Sequence, residues 1–225
     1  MPRPQRVTRE LVLSAAMELV EEEGVDALTM RRLGERVGAD PAMVYRMFRG
    51  KNELLESMAD AVFSSVGGEL AAPLPRPDYP EDDWRAAVHQ LAHRVRAALL
   101  AHPALIGLAV RRPPKGEATY RGMDAGLGLL MSAGLPPREA ALGYQAVLFY
   151  TLGFAALEAP FAATPDGGAA QQAETHRSLA ELPREQFPHI AATAEHLYGP
   201  DLTAQFDHGL RLMIAGLGRL DHEHD

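Results

Sequence analysis

Residues 29–48 read TMRRLGERVGADPAMVYRMF. Thr29 stands where a helix N-cap belongs, two helical turns follow over residues 30–37, and Gly38 can take the left-handed stop conformation. Asp40 is a second N-cap and Pro41 the first residue of a second helix, which runs to about Phe48. Two short helices joined by a tight Gly-containing turn make a helix-turn-helix. The second helix is slim enough for a DNA major groove, and its N-terminus turns free amides toward backbone phosphates. The side chains suit that use. Arg31 and Arg32, with Lys51 just beyond, can neutralise phosphates, and Thr29 and Tyr45 can hydrogen-bond to them. Arg46 can fork onto a guanine edge, while Pro41, Ala42 and Met43 can pack on thymine methyls. Spacing alone leaves open a plainer reading, a solvated hairpin inside a helical bundle.

The helical period continues on both sides. Residues 8–23 place Val12, Ala15, Ala16, Leu19 and Val20 on one face. Gly24 ends that run, and 25–28 is a short turn. Downstream, Gly50 breaks the chain and Asn52 is placed to cap a helix over 53–66. Residues 67–83 hold Pro73, Pro75, Pro77 and Pro80 and read as a linker or surface loop. Helices are expected over 84–101, briefly to 110, over 116–133, over 138–158, 184–198 and 201–220, with a loop over 159–183. No strand-like alternation and no internal repeat occurs. The expected fold is all-α: a three-helix head, residues 1–52, joined to a larger helical body, residues 53–225.

Charge follows the same division. Residues 1–52 carry nine Lys/Arg against eight Asp/Glu, and residues 53–225 carry thirteen against twenty-two. A less acidic head on an acidic body can meet a polyanion while the body repels it, which orients approach. Among 225 residues there is no cysteine, which excludes disulfides, thiolate metal sites and a cysteine nucleophile. No run of about 18 apolar residues reads as a membrane span, and the polar N-terminus does not read as a signal peptide. A cytoplasmic protein is expected.

Residues 12–55 resemble the N-terminal domain of TetR-family transcriptional regulators without a gap. The motifs are A-A-x-x-L from Ala15, G-V-x-x-L-T-M-R-x-L from Gly24, V-G at Val37, V-Y-x-x-F from Val44 and K-x-x-L-L from Lys51. The family usually has His or Tyr where this chain has Met47, so one DNA contact is expected to differ. The body resembles the tetracycline-repressor branch through ALLAH (98–102), AVLFYTLGF (146–154) and FDHGLRLMIAGL (206–217). That resemblance implies a homodimer joined by a four-helix bundle, two helices per chain, here 138–158 and 201–220. Their apolar stripes are Tyr144, Leu148 and Leu152, and Phe206, Leu210, Met213 and Leu217, wide enough for both core and interface.

The branch holds a drug–magnesium complex with polar residues, and in the matching register this chain has Leu91, Ala109 and Gly126. A larger and more hydrophobic effector is therefore expected, lined by Leu91, Val95, Arg112, Met123, Leu127, Gln145 and Phe149. His89 and His93 are spaced to share a metal, but with no carboxylate fixed beside them they read as a polar helix face. His102 reads as a helix end, His222 and His224 as solvated tail, and Met123 and Met131 as core residues more often than ligand contacts. Gly122–Gly128 follows no strand, and Ser64, Ser65 and Ser132 lack a partnered base. The expectation is a ligand-responsive DNA-binding regulator, most simply a repressor released from operator DNA, with no cofactor, no metal and no membrane. Two alternatives remain: a regulator controlled by a protein partner, and an all-helical enzyme.

Overall fold

The computed structural model describes residues 7–71, 84–111, 115–162, 164, 166, 168–199 and 201–220. Within them are eleven α-helices and no strand. They are α1 (Arg9–Glu23), α2 (Met30–Val37), α3 (Pro41–Met47), α4 (Lys51–Ala71), α5 (Trp84–Leu100), α6 (Pro103–Arg111), α7 (Glu117–Ser132), α8 (Pro137–Ala162), α9 (Ala169–Ala180), α10 (Pro188–Thr193) and α11 (Leu202–Leu220).

The head is built by local chemistry. Thr8 caps α1, Thr29 caps α2 and Asp40 caps α3, each side chain accepting from a backbone N–H inside its helix. Gly38 sits at φ +67°, where a Cβ would be strained. Gly34 serves close approach instead. A Cβ there would lie 2.8 Å from the Ala39 carbonyl oxygen and 3.3 Å from the Pro41 nitrogen, so only glycine lets α3 cross this near. Leu28, Leu33, Val44 and Phe48 are fully buried beneath the crossing.

Four expectations are corrected. α4 starts at Lys51, so Asn52 lies inside the helix rather than capping it. Glu53 instead reaches back to the Arg49 N–H at 2.8 Å, a carboxylate satisfying the helix start. α4 also runs through Gly67 and Gly68 to Ala71, where a loop was expected; the prolines at 73–80 lie outside the described residues. The expected 159–183 loop contains all of α9, and α8 continues through Pro160 to Ala162. The expected 184–198 helix shrinks to α10 and a 3-10 turn, Ala194–His196.

Two apolar cores form. The first runs from α1, α2 and α3 through α4 into Leu105, Ile106 and Leu108 of α6 and Leu152, Ala155 and Ala159 of α8. Head and body thus share packing, and a rigid displacement of one is felt by the other. The second joins Val88 and Ala92 of α5 to Leu130, Leu135, Ala140 and to Phe206, Leu210, Ile214 and Leu217, the last four on α11. Arg96 locks α5 to α8 and α11. Its fork donates to both Glu158 oxygens at 2.7 and 2.6 Å and to Thr203 Oγ1 at 3.2 Å, with the pair almost fully buried.

Candidate DNA interface and cavity

α3 buries Val44 and turns Ala42, Tyr45 and Arg46 outward on one face, at spacings of three and four residues, and Arg49 is exposed just past its end. Tyr45 is about half exposed, and Pro41 and Met43 are half-buried at the start of the same helix. Arg31 is exposed on α2 and pairs with Glu35 one turn on at 2.9 Å. Such an exposed pair is worth little and gives way to a phosphate. Thr29 spends its hydroxyl on the Arg32 N–H.

Other basic groups are already engaged. Arg32 Nη2 donates to both Glu23 oxygens at 2.6 and 2.7 Å, and these hydrogen bonds raise its pKa. Arg36 forks onto Glu22 through Nη1 and Nη2 at 2.7 and 2.6 Å, and its hydrogen bond pulls Glu22 below the ordinary carboxylate value. Lys51 Nζ donates to the Val25 carbonyl at 3.0 Å, tying α4 to the turn before α2. It holds the head together as well as carrying charge. Arg9 was not singled out from the sequence. Its guanidinium lies 4.0 Å over the Phe48 ring, donates to the Met47 carbonyl and pairs with Glu53 at 3.1 Å. It therefore clamps the end of α3 to the start of α4. The bond to Arg49 N–H and then that from Arg9 hold Glu53 ionised, below the usual carboxylate pKa.

The body contains a cavity of about 70 Å3 that opens to solvent, bounded by α4, α5, α7 and α8. Its walls are apolar: Phe63, Val88, Leu91, Val95, Met123 and Leu148 among them, with no charged side chain among the described residues. Three hydroxyls interrupt them. Thr151 donates to the Val147 carbonyl at 2.8 Å. Tyr144 is kept a neutral phenol, its pKa raised by burial. Thr119 Oγ1 is buried without a hydrogen-bond partner, an open position for a ligand's polar atom. Gly126 makes room: a Cβ there would sit 2.9 Å from the Tyr144 ring.

Of the lining residues expected from sequence, Leu91, Val95 and Met123 face this cavity. Leu127, Gln145 and Phe149 do not belong to the lining. Gln145 and Phe149 are exposed on the far side of α8, because the helix turns Tyr144, Val147, Leu148 and Thr151 inward. Leu127 is half-buried outside the lining, one step past Gly126. Arg112 lies outside the described residues. Of the register positions, Leu91 and Gly126 line the cavity, whereas Ala109 is buried in the first core.

The cavity is wired to the head. Asp60, in mid α4, accepts from the N–H groups of Lys115 and Gly116 at 2.9 and 3.0 Å, just before α7 starts at Glu117. Lys115 Nζ also reaches Glu56 at 3.2 Å. Phe63, one turn beyond Asp60, lines the cavity. At its other end α4 meets α3 through Glu53 and Arg9. At α6, the Ala104 N–H donates to Glu21 of α1 at 3.3 Å.

α8 and α11 present a further feature. On α8, Leu142, Ala146, Phe149, Gly153, Leu157 and Pro160 form one exposed apolar stripe. Leu157, Phe149 and Leu212 of α11 are 74%, 63% and 63% exposed. The expected interface stripe is thereby corrected. Phe206, Leu210 and Leu217 fill the chain's own second core, Leu152 the first, and Leu148 the cavity wall. α8 is also long and apolar enough to cross a membrane by length and composition.

Comparison with known proteins supplies the context for this geometry. Residues 12–58 match the family described as bacterial regulatory proteins, tetR family. Residues 76–220 match the tetracyclin repressor-like C-terminal domain. The chain is 31% identical over 208 residues to the tetracycline repressor protein class A from transposon 1721 of Escherichia coli, covering 92% of this chain and 89% of that protein. It is 28% identical to the transcriptional repressor DrrR1 of Streptomyces coeruleorubidus, covering 96% and 78%. Apo ActR of Streptomyces coelicolor superposes with a TM-score of 0.84 at 27% identity over the whole of both chains. ActR in complex with actinorhodin superposes with a TM-score of 0.82 at 26% identity, covering 96% and 99%.

Proposed function

The chain belongs to the TetR family of DNA-binding transcriptional regulators, and from that premise we propose that it is a homodimeric repressor released from its operator by a neutral, largely apolar molecule. The observation that carries the effector class is the cavity lining, which among the described residues holds no charged side chain and leaves Thr119 Oγ1 unsatisfied among apolar walls. A charged or metal-chelated ligand would lose its hydration there without a compensating partner. A mostly hydrophobic molecule with one or two hydroxyl or carbonyl groups fits the lining. The ActR–actinorhodin complex supports small-molecule control in a protein of the same shape.

Operator contact falls to Thr29, Arg31, Pro41, Ala42, Met43, Tyr45, Arg46 and Lys51. Arg31 and Lys51 position the head on phosphates, and Arg46 reads a base edge. The exposed apolar stripe of α8, with Leu212, supports a second copy as the partner of that face, since it would otherwise leave large side chains in water. The apolarity of α8 then serves a core and an interface rather than lipid. The protein acts by binding, on double-stranded operator DNA, in the cytoplasm.

Release works through spacing. In a symmetric dimer the two α3 helices must reach major grooves about 34–36 Å apart. A ligand seated against Phe63 and α7 shifts α4 through Asp60, and α4 carries α3 through Glu53 and Arg9. A ligand preferring the released form by about a hundredfold shifts the equilibrium by about 2.7 kcal/mol per site. The test is operator binding by fluorescence anisotropy, on duplexes the protein selects from random DNA, with uncharged polycyclic compounds titrated in and actinorhodin, which carries carboxylates, as the charged comparison. At least one compound should release the DNA. Thr119→Val and Gly126→Leu should leave operator affinity intact and raise the concentration needed. If both variants respond like the unmodified protein, the effector does not sit in this cavity.

A further inference from the structure

His89 and His93 lie one turn apart on α5, and the fold brings Asp207 of α11 against both of them. Asp207 Oδ1 is 3.1 Å from His89 Nε2 and 2.6 Å from His93 Nε2. One ligand atom from each of the three residues lies within 4.8 Å of the other two. This cluster is outside the cavity lining and outside the α3 face. We propose that His89, His93 and Asp207 form a binding site for a divalent transition-metal ion, of which zinc is the best-fitting member, at the seam between α5 and α11.

The donor set matches that chemistry. Two imidazole nitrogens and one carboxylate oxygen, with open positions left for water, suit borderline ions such as zinc. Bonds of about 2.0–2.1 Å place neighbouring ligand atoms about 2.9 Å apart in an octahedral arrangement and about 3.4 Å apart in a tetrahedral one. The 3.1 Å separation already lies in that range, and the 2.6 Å contact opens by a small side-chain rotation. When the ion enters, both Nε2 atoms give it their lone pairs. The proton on His93 Nε2 that bonds to Asp207 moves to Nδ1 or is released to solvent.

The surroundings favour the ion. Side-chain exposures of 37%, 30% and 25% leave the three groups reachable from water while their frames are held. The His93 ring stands edge-on to Phe206 with centroids 5.1 Å apart, which fixes its direction. Arg96, one turn along α5, would repel a cation, yet its charge is already neutralised by Glu158. A bound ion would staple α11 to the helix that also supplies Leu91 and Val95 to the cavity wall.

The experiment uses the full chain, stripped with a chelator, at neutral pH. Zinc is titrated by calorimetry, and cobalt(II) is followed by its visible absorption. His222→Ala/His224→Ala serves as background, so that the C-terminal histidines do not contribute. One zinc per chain should bind at micromolar strength and raise Tm by several degrees. His93→Ala should abolish this binding, and Asp207→Asn, nearly isosteric, should weaken it at least tenfold. His89→Gln, at a half-exposed position, carries the test if His93→Ala fails to fold. Equal zinc affinity in the background protein and these variants would overturn the site, as would no binding below millimolar zinc. Both readouts are independent of DNA and effector, so the failure of this site and the failure of the proposed repressor role are separable.

Discussion

Changing Phe149 to Ala should separate the subunits without unfolding them. Phe149 is 63% exposed in the single chain. A phenylalanine offers about 150–250 Å2 of surface, so on the order of 120 Å2 remains for a partner to cover. At about 25 cal/mol per Å2 this is about 3 kcal/mol per chain, and about 6 kcal/mol over two symmetric copies as an upper bound. Alanine and incomplete packing reduce it, and about 3–5 kcal/mol is expected. That weakens dimerisation by about a hundredfold to a few thousandfold. A dimer of nanomolar strength then becomes visibly concentration-dependent at micromolar protein, which sedimentation equilibrium measures directly. Chain stability, followed by helical circular dichroism, should hardly change in the separated monomer. Leu210→Ala is the contrast. Leu210 is fully buried in the chain's own core, so its truncation should cost about 2–5 kcal/mol of fold stability through the cavity it leaves. The assignment of faces is refuted if Phe149→Ala dimerises as tightly as the unmodified protein, or if Leu210→Ala splits the dimer and leaves the fold untouched.

The head yields two further predictions. Gly34→Val should disrupt the α2–α3 crossing, because even a Cβ would lie 2.8 Å from backbone oxygen that cannot step aside; a lowered Tm with lost operator binding is expected, and full DNA affinity would count against the geometry. Arg46→Ala should cost about 1–3 kcal/mol on the selected operator and much less on random DNA, whereas Lys51→Ala should weaken both alike and lower Tm by freeing the Val25 carbonyl; anisotropy at several salt concentrations separates them. Asp60→Ala should remove two backbone hydrogen bonds at the start of α7. Operator binding should survive, while effector binding, measured by calorimetry, should release DNA less effectively; an unchanged release curve would move the coupling route away from α4–α7.

The head was legible in the sequence because its structure is local. Thr29, Gly38, Asp40 and Pro41 each act on a backbone group within a few residues, so their order determines where α2 and α3 begin and end. The fold class followed from a helical period that recurs through almost the whole chain, and the apolar character of the body's cavity from Leu91, Val95 and Met123. Periodicity could not say which side of a helix faces what. α8 is apolar nearly all round, so Tyr144 and Gln145, or Leu148 and Phe149, are adjacent letters on opposite faces. Only packing against α5, α7 and α11 turned the first of each pair inward. The same limit moved Leu210 from the interface to the core. Beyond Asn52, the start of α4 was set by Glu53 reaching back to Arg49, a competition between two capping residues one position apart. The contacts with the greatest reach are non-local. Asp60 meets Lys115 and Gly116, Arg96 meets Glu158, and His89 and His93 meet Asp207, each across tens of residues or more. Side-chain chemistry named the possible partners, and only the tertiary structure chose among them, because distance along the chain carries no information about distance in space once helices pack.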